Sequence, residues 1–188
     1  MPTVIPRRGI PYLLLLVFAL ATTLQRGEAQ TNSNIGNITL QAAVQQFISI
    51  GVGAAQVDFT LLPGTAVTGT PTVPITTSWN LNPGLTNDVT LYAYFDSSTA
   101  GLTDGGGNDI PSSNVLGKVN AGAFTAITGT GPFGAAGASL QVFTEAVSGG
   151  NKIKTRNDNL GVRIDLTSQP NLPAGDYTGT LRLQAQAL

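Results

Sequence analysis

Residues 177–188 alternate without interruption. Tyr177, Leu181, Leu183, Ala185 and Ala187 share one face; Thr178, Thr180, Arg182, Gln184 and Gln186 share the other. A period of two over this length specifies a β-strand with one buried face, and a Pro173-Ala174-Gly175 turn launches it. The same period recurs upstream. Val57, Phe59 and Leu61 alternate before Pro63-Gly64. Val73, Ile75, Thr77, Trp79 and Leu81 alternate before Pro83-Gly84. Val89, Leu91, Ala93 and Phe95 follow, then Leu140, Val142, Thr144 and Ala146, then Leu160, Val162, Ile164 and Leu166. Residues 115–119 and 123–127 read as a short hairpin around Asn120-Ala121-Gly122, inside a Gly-, Ala-, Thr- and Ser-rich stretch (97–137) that otherwise reads as loop. Period-two runs separated by Pro-Gly and Gly-Gly breaks are the pattern of antiparallel sheets. No capped 3.6-residue apolar pattern appears downstream of residue 30. The expected fold is all-β: an immunoglobulin-like antiparallel β-sandwich of about seven to nine strands.

The even positions from 38 to 52 (Ile38, Leu40, Ala42, Val44, Gln46, Ile48, Ile50, Val52) form one long inward face. They predict either a single long first strand or two strands meeting at a bend near Gln45-Gln46.

The other end of the chain reads as an export signal. Arg7 and Arg8 precede a ten-residue apolar run, residues 12–21, too short to span a bilayer, and Gly27 and Ala29 are small residues at a plausible cleavage site. Residues 1–29 are therefore expected to be a signal peptide, 30–37 a polar lead, and 38–188 a single domain. With no Cys, a lipoprotein anchor is excluded, and no second apolar run predicts an integral membrane segment in the mature chain. Residues 30–188 keep six basic and nine acidic side chains, a net charge of −3. Nucleic acid and anionic membrane both demand a basic surface, so neither is an expected partner.

The chain has neither Cys nor His. Disulfide staples, a Cys nucleophile, a His general base, a Ser-His-Asp triad and His- or Cys-based metal sites are all excluded. Glu145 is the only Glu after residue 29, and nothing in the spacing places a second carboxylate opposite it. Its odd position predicts a surface side chain, turned away from Leu140 and Val142. The expected protein is not an enzyme.

Three further groups are candidates for contact with a ligand. Asp96, Asp104, Asn108 and Asp109 surround Gly105-Gly106-Gly107, offering hard oxygen ligands for calcium or, more simply, a turn capped by its own side chains. Tyr92 and Tyr94 lie on the face opposite Leu91 and Ala93 and suit either sugar stacking or cross-strand packing. Lys152, Lys154 and Arg156 alternate as a basic stripe, either a site for acidic polysaccharide or charges guarding an edge.

The stretch Leu172-Pro173-Ala174-Gly175-Asp176-Tyr177-Thr178-Gly179-Thr180 resembles the last-strand motif of bacterial spore-coat-U-like secreted domains, themselves similar to archaic chaperone–usher pilins. Val57-Asp58-Phe59 followed by Pro63-Gly64 resembles the second strand and turn of that family. Gly175 stands fourteenth from the C-terminus, where such subunits carry a glycine; Ala187 stands where they carry a penultimate aromatic, and their common disulfide is missing. The resemblance implies an exported structural protein of the cell surface, a fibre or a coat. Its sandwich would be completed by a strand from a neighbour, with related surface subunits and a periplasmic chaperone as partners. Ile38, Leu40, Ala42 and Val44 would be the donated residues, and Gly175, Leu181 and Leu183 would belong to the receiving edge. The alternatives are that residues 38–44 pair within their own domain, and that the chain is a secreted carbohydrate-binding module using Tyr92 and Tyr94.

Overall fold

The computed structural model describes residues 33–84 and 88–188. The expected signal peptide lies outside the described residues. The chain divides into two units, Met1–Ala42 and Ala43–Leu188. Described residues 33–42 of the first unit have no regular secondary structure and are exposed. Among the described residues regular structure begins at Phe47, so of the single long strand or pair of strands expected over 38–52 only the second half is formed.

The second unit is all-β and antiparallel. Its strands are β1 (Phe47–Val52), β2 (Ala66–Thr68), β3 (Val73–Asn80), β4 (Asp88–Tyr94), β5 (Leu102–Thr103) and β6 (Asp109–Ile110), followed by β7 (Val115–Val119), β8 (Thr125–Ala126), β9 (Ser139–Ala146), β10 (Ile153–Asp165) and β11 (Arg182–Ala187). One sheet runs β1-β3-β10-β7-β8, with β2 also on β10; a second runs β11-β4-β9; β5 and β6 form a small ribbon. No helix among the described residues is long and apolar enough to cross a membrane.

The alternation in the sequence maps onto burial. In β3, Val73, Ile75, Thr77 and Trp79 are buried, while Pro74 and Thr76 between them are exposed. Val89, Leu91 and Ala93 of β4 and Leu160, Val162 and Ile164 of β10 complete the sandwich-like core. Trp79 is fully buried, and its indole N–H donates to the carbonyl of Asn151 at 2.9 Å, so the one polar atom of the ring has a partner.

β10 is longer than its apolar run announced. Residues 153–160 pair with β3, Arg163–Asp165 pair with β2 on the same side, and Leu160–Ile164 pair with β7 on the other. Its first half therefore has one edge without a strand. A bulge in the β4–β9 ladder decides what covers that edge. Leu91 faces Phe143 and Tyr92 faces Gln141, so Val142 is one residue too many. An extra residue resets the phase of everything after it. Phe143 and Glu145, expected to point outward, turn to the core side instead.

There Glu145 contacts Lys154 and accepts from Arg156 at 3.2 Å and from Asn151 at 3.0 Å. Arg156 also pairs with Asp158 at 2.7 Å and stacks on the Phe143 ring at 4.3 Å. The Asp158 side chain is only 2% exposed and takes a further bond from Asn120 at 2.8 Å. Two members of the basic stripe, Lys154 and Arg156, are thus neutralised within the fold while Lys152 stays exposed, and Glu145 is the hub of a seam rather than a surface residue. Burial works to raise both carboxyls. For Glu145 the hydrogen bonds from Lys154, Asn151 and Arg156 outweigh it; for Asp158 those from Arg156 and Asn120 do, and both end below their ordinary values.

Carboxyls depressed in the fold stabilise it above their unfolded values and lose that contribution as pH falls through the folded ones. The expected outcome in denaturant titrations is a loss of stability that sets in near the ordinary carboxylate range, at about pH 4–5, and continues below it. Asp158→Asn should flatten this dependence, while Asp158→Ala at pH 7 should cost about 1–3 kcal/mol through its lost bonds to Arg156 and Asn120, Arg156 keeping Glu145. An unchanged pH profile in Asp158→Asn would show that the seam carries no linkage.

Candidate functional site

On the opposite side of the domain no such seam exists. β1 ends at Val52, and the N–H of Gly53 still reaches Pro74 at 2.8 Å. The chain then leaves β3 and touches the sheet again only where Asp58 and Thr70 exchange two backbone bonds. Residues 57–61, expected to be a strand, are therefore an unladdered wall, with Val57, Phe59 and Leu61 half-buried. The wall facing them is made by residues 172–183. The final strand, expected from Tyr177, begins as a ladder only at Arg182. Before it, Thr178 exchanges two bonds with Thr103 at 2.9 Å, and the Tyr177 hydroxyl donates to the Pro173 carbonyl at 3.0 Å. Burial, with the nearby charges of Asp104 and Asp109, raises the Tyr177 phenol above its ordinary value.

Between these walls lies a groove of about 1080 Å³ whose floor is the core itself: Val73, Phe95, Val115, Leu160, Val162 and Ile164. No strand pairing joins the two walls among the described residues. β1 and β11 are both terminal strands of their sheets and approach one another beside it. The floor side chains stay buried, Leu160 at 1% and Ile164 at 0% exposure, and the groove's walls carry the half-buried apolar groups Val57, Phe59, Leu61, Leu172, Leu181 and Leu183. The groove's rim carries Asp58 and Asp176 and no basic side chain.

The residues expected to act in assembly separate into two sets. Gly175, Leu181 and Leu183 all line the groove. Ile38, Leu40 and Val44 stand 86%, 90% and 84% exposed, Ala42 is exposed as well, and none of them is in a strand. Val57, Phe59 and Leu61 were legible as an apolar alternation; their unladdered backbone was not.

The glycines of the second wall differ in what they require. A Cβ at Gly179 would lie 2.0 Å from the Gly101 carbonyl oxygen, so close approach of two backbones excludes any side chain there. A Cβ at Gly175 would meet nothing nearer than 3.9 Å.

The other candidates resolve into local structure. Asp104 accepts from the Asn108 side chain and from the backbone N–H groups of Asn108 and Gly106, which hold its carboxyl below the ordinary range. Asp96 pairs with Arg182 at 2.8 Å, and Asp109 belongs to β6. Among the described residues no three Asp, Glu, His or Cys side chains cluster to hold a metal ion. Tyr92 and Tyr94 share the outer face of β4, where Phe133 packs 5.9 Å from each ring centre. Phe133 escaped the sequence reading because it lies in the Gly-rich loop. The signal was its setting, Gly131-Pro132-Phe133-Gly134. Gly134 has φ 77°, and a Cβ there would fall 2.5 Å from the Tyr94 ring.

No family model matches the chain, and no curated protein or solved structure matches it either.

The two rim glycines give a paired expectation. Gly179→Ala should lower stability by roughly 1–3 kcal/mol because the backbones must separate, whereas Gly175→Ala should melt within a few degrees of the parent. Equal melting temperatures for the two variants would contradict the close approach at Gly101.

Proposed function

We propose that this chain is an exported, non-enzymatic structural protein of the cell surface, a fibre or a coat, with an immunoglobulin-like sandwich that assembles by accepting a β-strand into its open groove. One juxtaposition carries the reading: a groove lined by core side chains between two walls with no strand pairing to one another and, in the same chain, an exposed segment alternating Ile38, Leu40, Ala42 and Val44. An extended peptide added at a sheet edge gains affinity from its main chain, and alternate side chains sunk in the groove set its register. Burying Ile38, Leu40 and Val44 would contribute about 1.5–3 kcal/mol each before the costs of association.

Other features support it. Residues 172–180 resemble the spore-coat-U-like and archaic pilin last strand, and they form the receiving wall. The Tyr177–Pro173 hydrogen bond is of the kind that fixes a corner in immunoglobulin-like sandwiches. Lack of both His and Cys removes the commonest acid–base and nucleophilic groups. A carbohydrate-binding role at Tyr92 and Tyr94 is less well supported, because Phe133 packs against both rings and uses the surface a sugar would need.

The test is strand capture during refolding at low protein concentration, followed by fluorescence anisotropy of a labelled peptide of residues 34–46. The expected result is saturable binding that Leu40→Asn plus Val44→Asn in the peptide weakens at least tenfold, roughly the loss of 1.4 kcal/mol or more. Thr39→Asn plus Gln41→Asn, on the opposite face, should bind as the parent does. No binding, or equal loss from both pairs, would sink strand addition as the mode of assembly.

A further inference from the structure

We propose that the outer face of the larger sheet is a binding track for a carboxylate-bearing polysaccharide, anchored at Lys118 and Arg163. None of the side chains in this track lines the groove.

The anchor is set by the ladders around the second half of β10. Leu160, Val162 and Ile164 point into the core, so Gly161 and Arg163 between them belong to the outer face. Gly161 lies opposite Lys118, and Arg163 lies between Thr68 of β2 and Leu116 of β7. β7 pairs Leu116 with Ala126 and Gly117 with Thr125. The same register carried one step further sets Phe124 opposite Lys118. Lys118 and Arg163 are therefore diagonal neighbours on one face, about 7–8 Å apart at the backbone. Both heads converge on one ring: the Lys118 ammonium lies 5.1 Å and the Arg163 guanidinium 5.7 Å from the centre of Phe124.

What sets this pair apart is its lack of a carboxylate. Lys154, Arg156 and Arg182 each pair with an Asp or Glu, but among the described residues no ion pair reaches Lys118 or Arg163. Asp165 shares the outer face two residues along β10. Its carboxylate accepts from the N–H and the hydroxyl of Thr167, and it feels Arg163 only as a nearby charge. Both cations are half-buried. The Phe124 ring offsets part of the hydration they give up, and a bound carboxylate would supply the rest through charge-assisted hydrogen bonds.

The rest of the track is uncharged. Down β10 from Gly161 the outer positions are Asn159, Asn157 and Thr155, which face Pro74, Thr76 and Ser78 of β3. Gly51 and Ser49 of β1 lie beyond Thr76 and Ser78. Two cross-strand contacts fix the polar groups in place. The Thr76 hydroxyl donates to Asn157 Oδ1 at 2.9 Å, and the Ser78 and Thr155 hydroxyls lie 2.9 Å apart. Each contact leaves donors unspent: Asn157 keeps its amide N–H groups, and the hydroxyl pair keeps one O–H. From Arg163 to Ile153 the track follows ten residue steps of β10, about 34 Å.

This combination selects the ligand. A flat face without walls gives a small molecule no enclosure, whereas a polymer adds several weak contacts along its length. Ordered hydroxyl and amide groups suit sugar hydroxyls, and two cations held side by side suit carboxylates on the same chain. Two cations are too few for a nucleic-acid backbone. The middle of the face lacks the aromatic and apolar anchors on which protein interfaces depend.

Affinity electrophoresis of the purified protein through gels containing polygalacturonate, alginate, dextran or dextran sulfate tests this. The expected result is saturable retardation by at least one of the two uronate polymers, polygalacturonate and alginate, weaker retardation by dextran sulfate and none by dextran. Lys118→Gln plus Arg163→Gln should weaken uronate binding roughly tenfold or more, and Thr155→Val plus Asn157→Ala about threefold. Lys152→Gln removes an exposed cation off this face and should bind as the parent does. If the double Gln variant melts early, the Thr155 and Asn157 pair decides alone, and unchanged binding by that pair overturns the track. No retardation by either uronate polymer overturns the inference. So does an equal loss from Lys152→Gln, which would make the attraction one of bulk charge. Equal retention by dextran sulfate or by dextran would remove the carboxylate from recognition and overturn it too.

Discussion

β10 is the strand through which the larger sheet is held together. Its thirteen residues pair with β3, then β2, along one edge and with β7 along the other. It thereby ties the first third of the chain to the middle. Leu160, Val162 and Ile164 project from it into the core, and Asp158 and Arg156 project into the seam that closes one flank. A chain without disulfides depends on such continuity, because only burial and hydrogen bonding hold its sheets at their spacing.

The two flanks of the sandwich are closed by opposite means. Where β9 and β10 face one another, paired and partly buried charge does the sealing: Glu145 holds Lys154 and Arg156, Asp158 holds Arg156 and Asn120, and Arg156 lies on Phe143. Charged groups at a strand edge make a poor template for a foreign strand. Where β1 and β11 approach, the floor is apolar, and the two walls carry a single backbone exchange each, Asp58 with Thr70 and Thr178 with Thr103. Any strand joining this domain is directed to that flank by the character of both.

The parts of the fold legible in the sequence are those governed by alternation alone. Val73 to Trp79, Val89 to Phe95 and Leu160 to Ile164 bury the residues their period selects, because each lies in a ladder with one face on the core. Departures occur where something other than alternation decides. One extra residue at Val142 reverses the phase of Phe143 and Glu145, and nothing in a list of apolar positions reveals a bulge. Residues 57–61 and 177–181 keep the apolar period of strands but lack neighbours, since ladder formation depends on a partner elsewhere in the chain. Residues 38–44 carry the same inward pattern as β1 and are exposed for the same reason. The walls of the groove were therefore written in the sequence as strands, and Gly175, Leu181 and Leu183, which line it, stood out in the last of them. That these strands would be left apart was not.

The pairing of β11 with β4 has a kinetic consequence. Arg182–Ala187 lie against Val89–Tyr94, and across β4 the other neighbour is β9. The smaller sheet joins segments separated by nearly half the chain, a topology that folds slowly because the intervening loop must close before any contact rewards it. Its middle strand has both edges satisfied only once residues 182–187 have been synthesised. A chain emerging during synthesis thus cannot complete this sheet until those residues arrive, and the exposed edge of β4 waits on the last strand of the sequence.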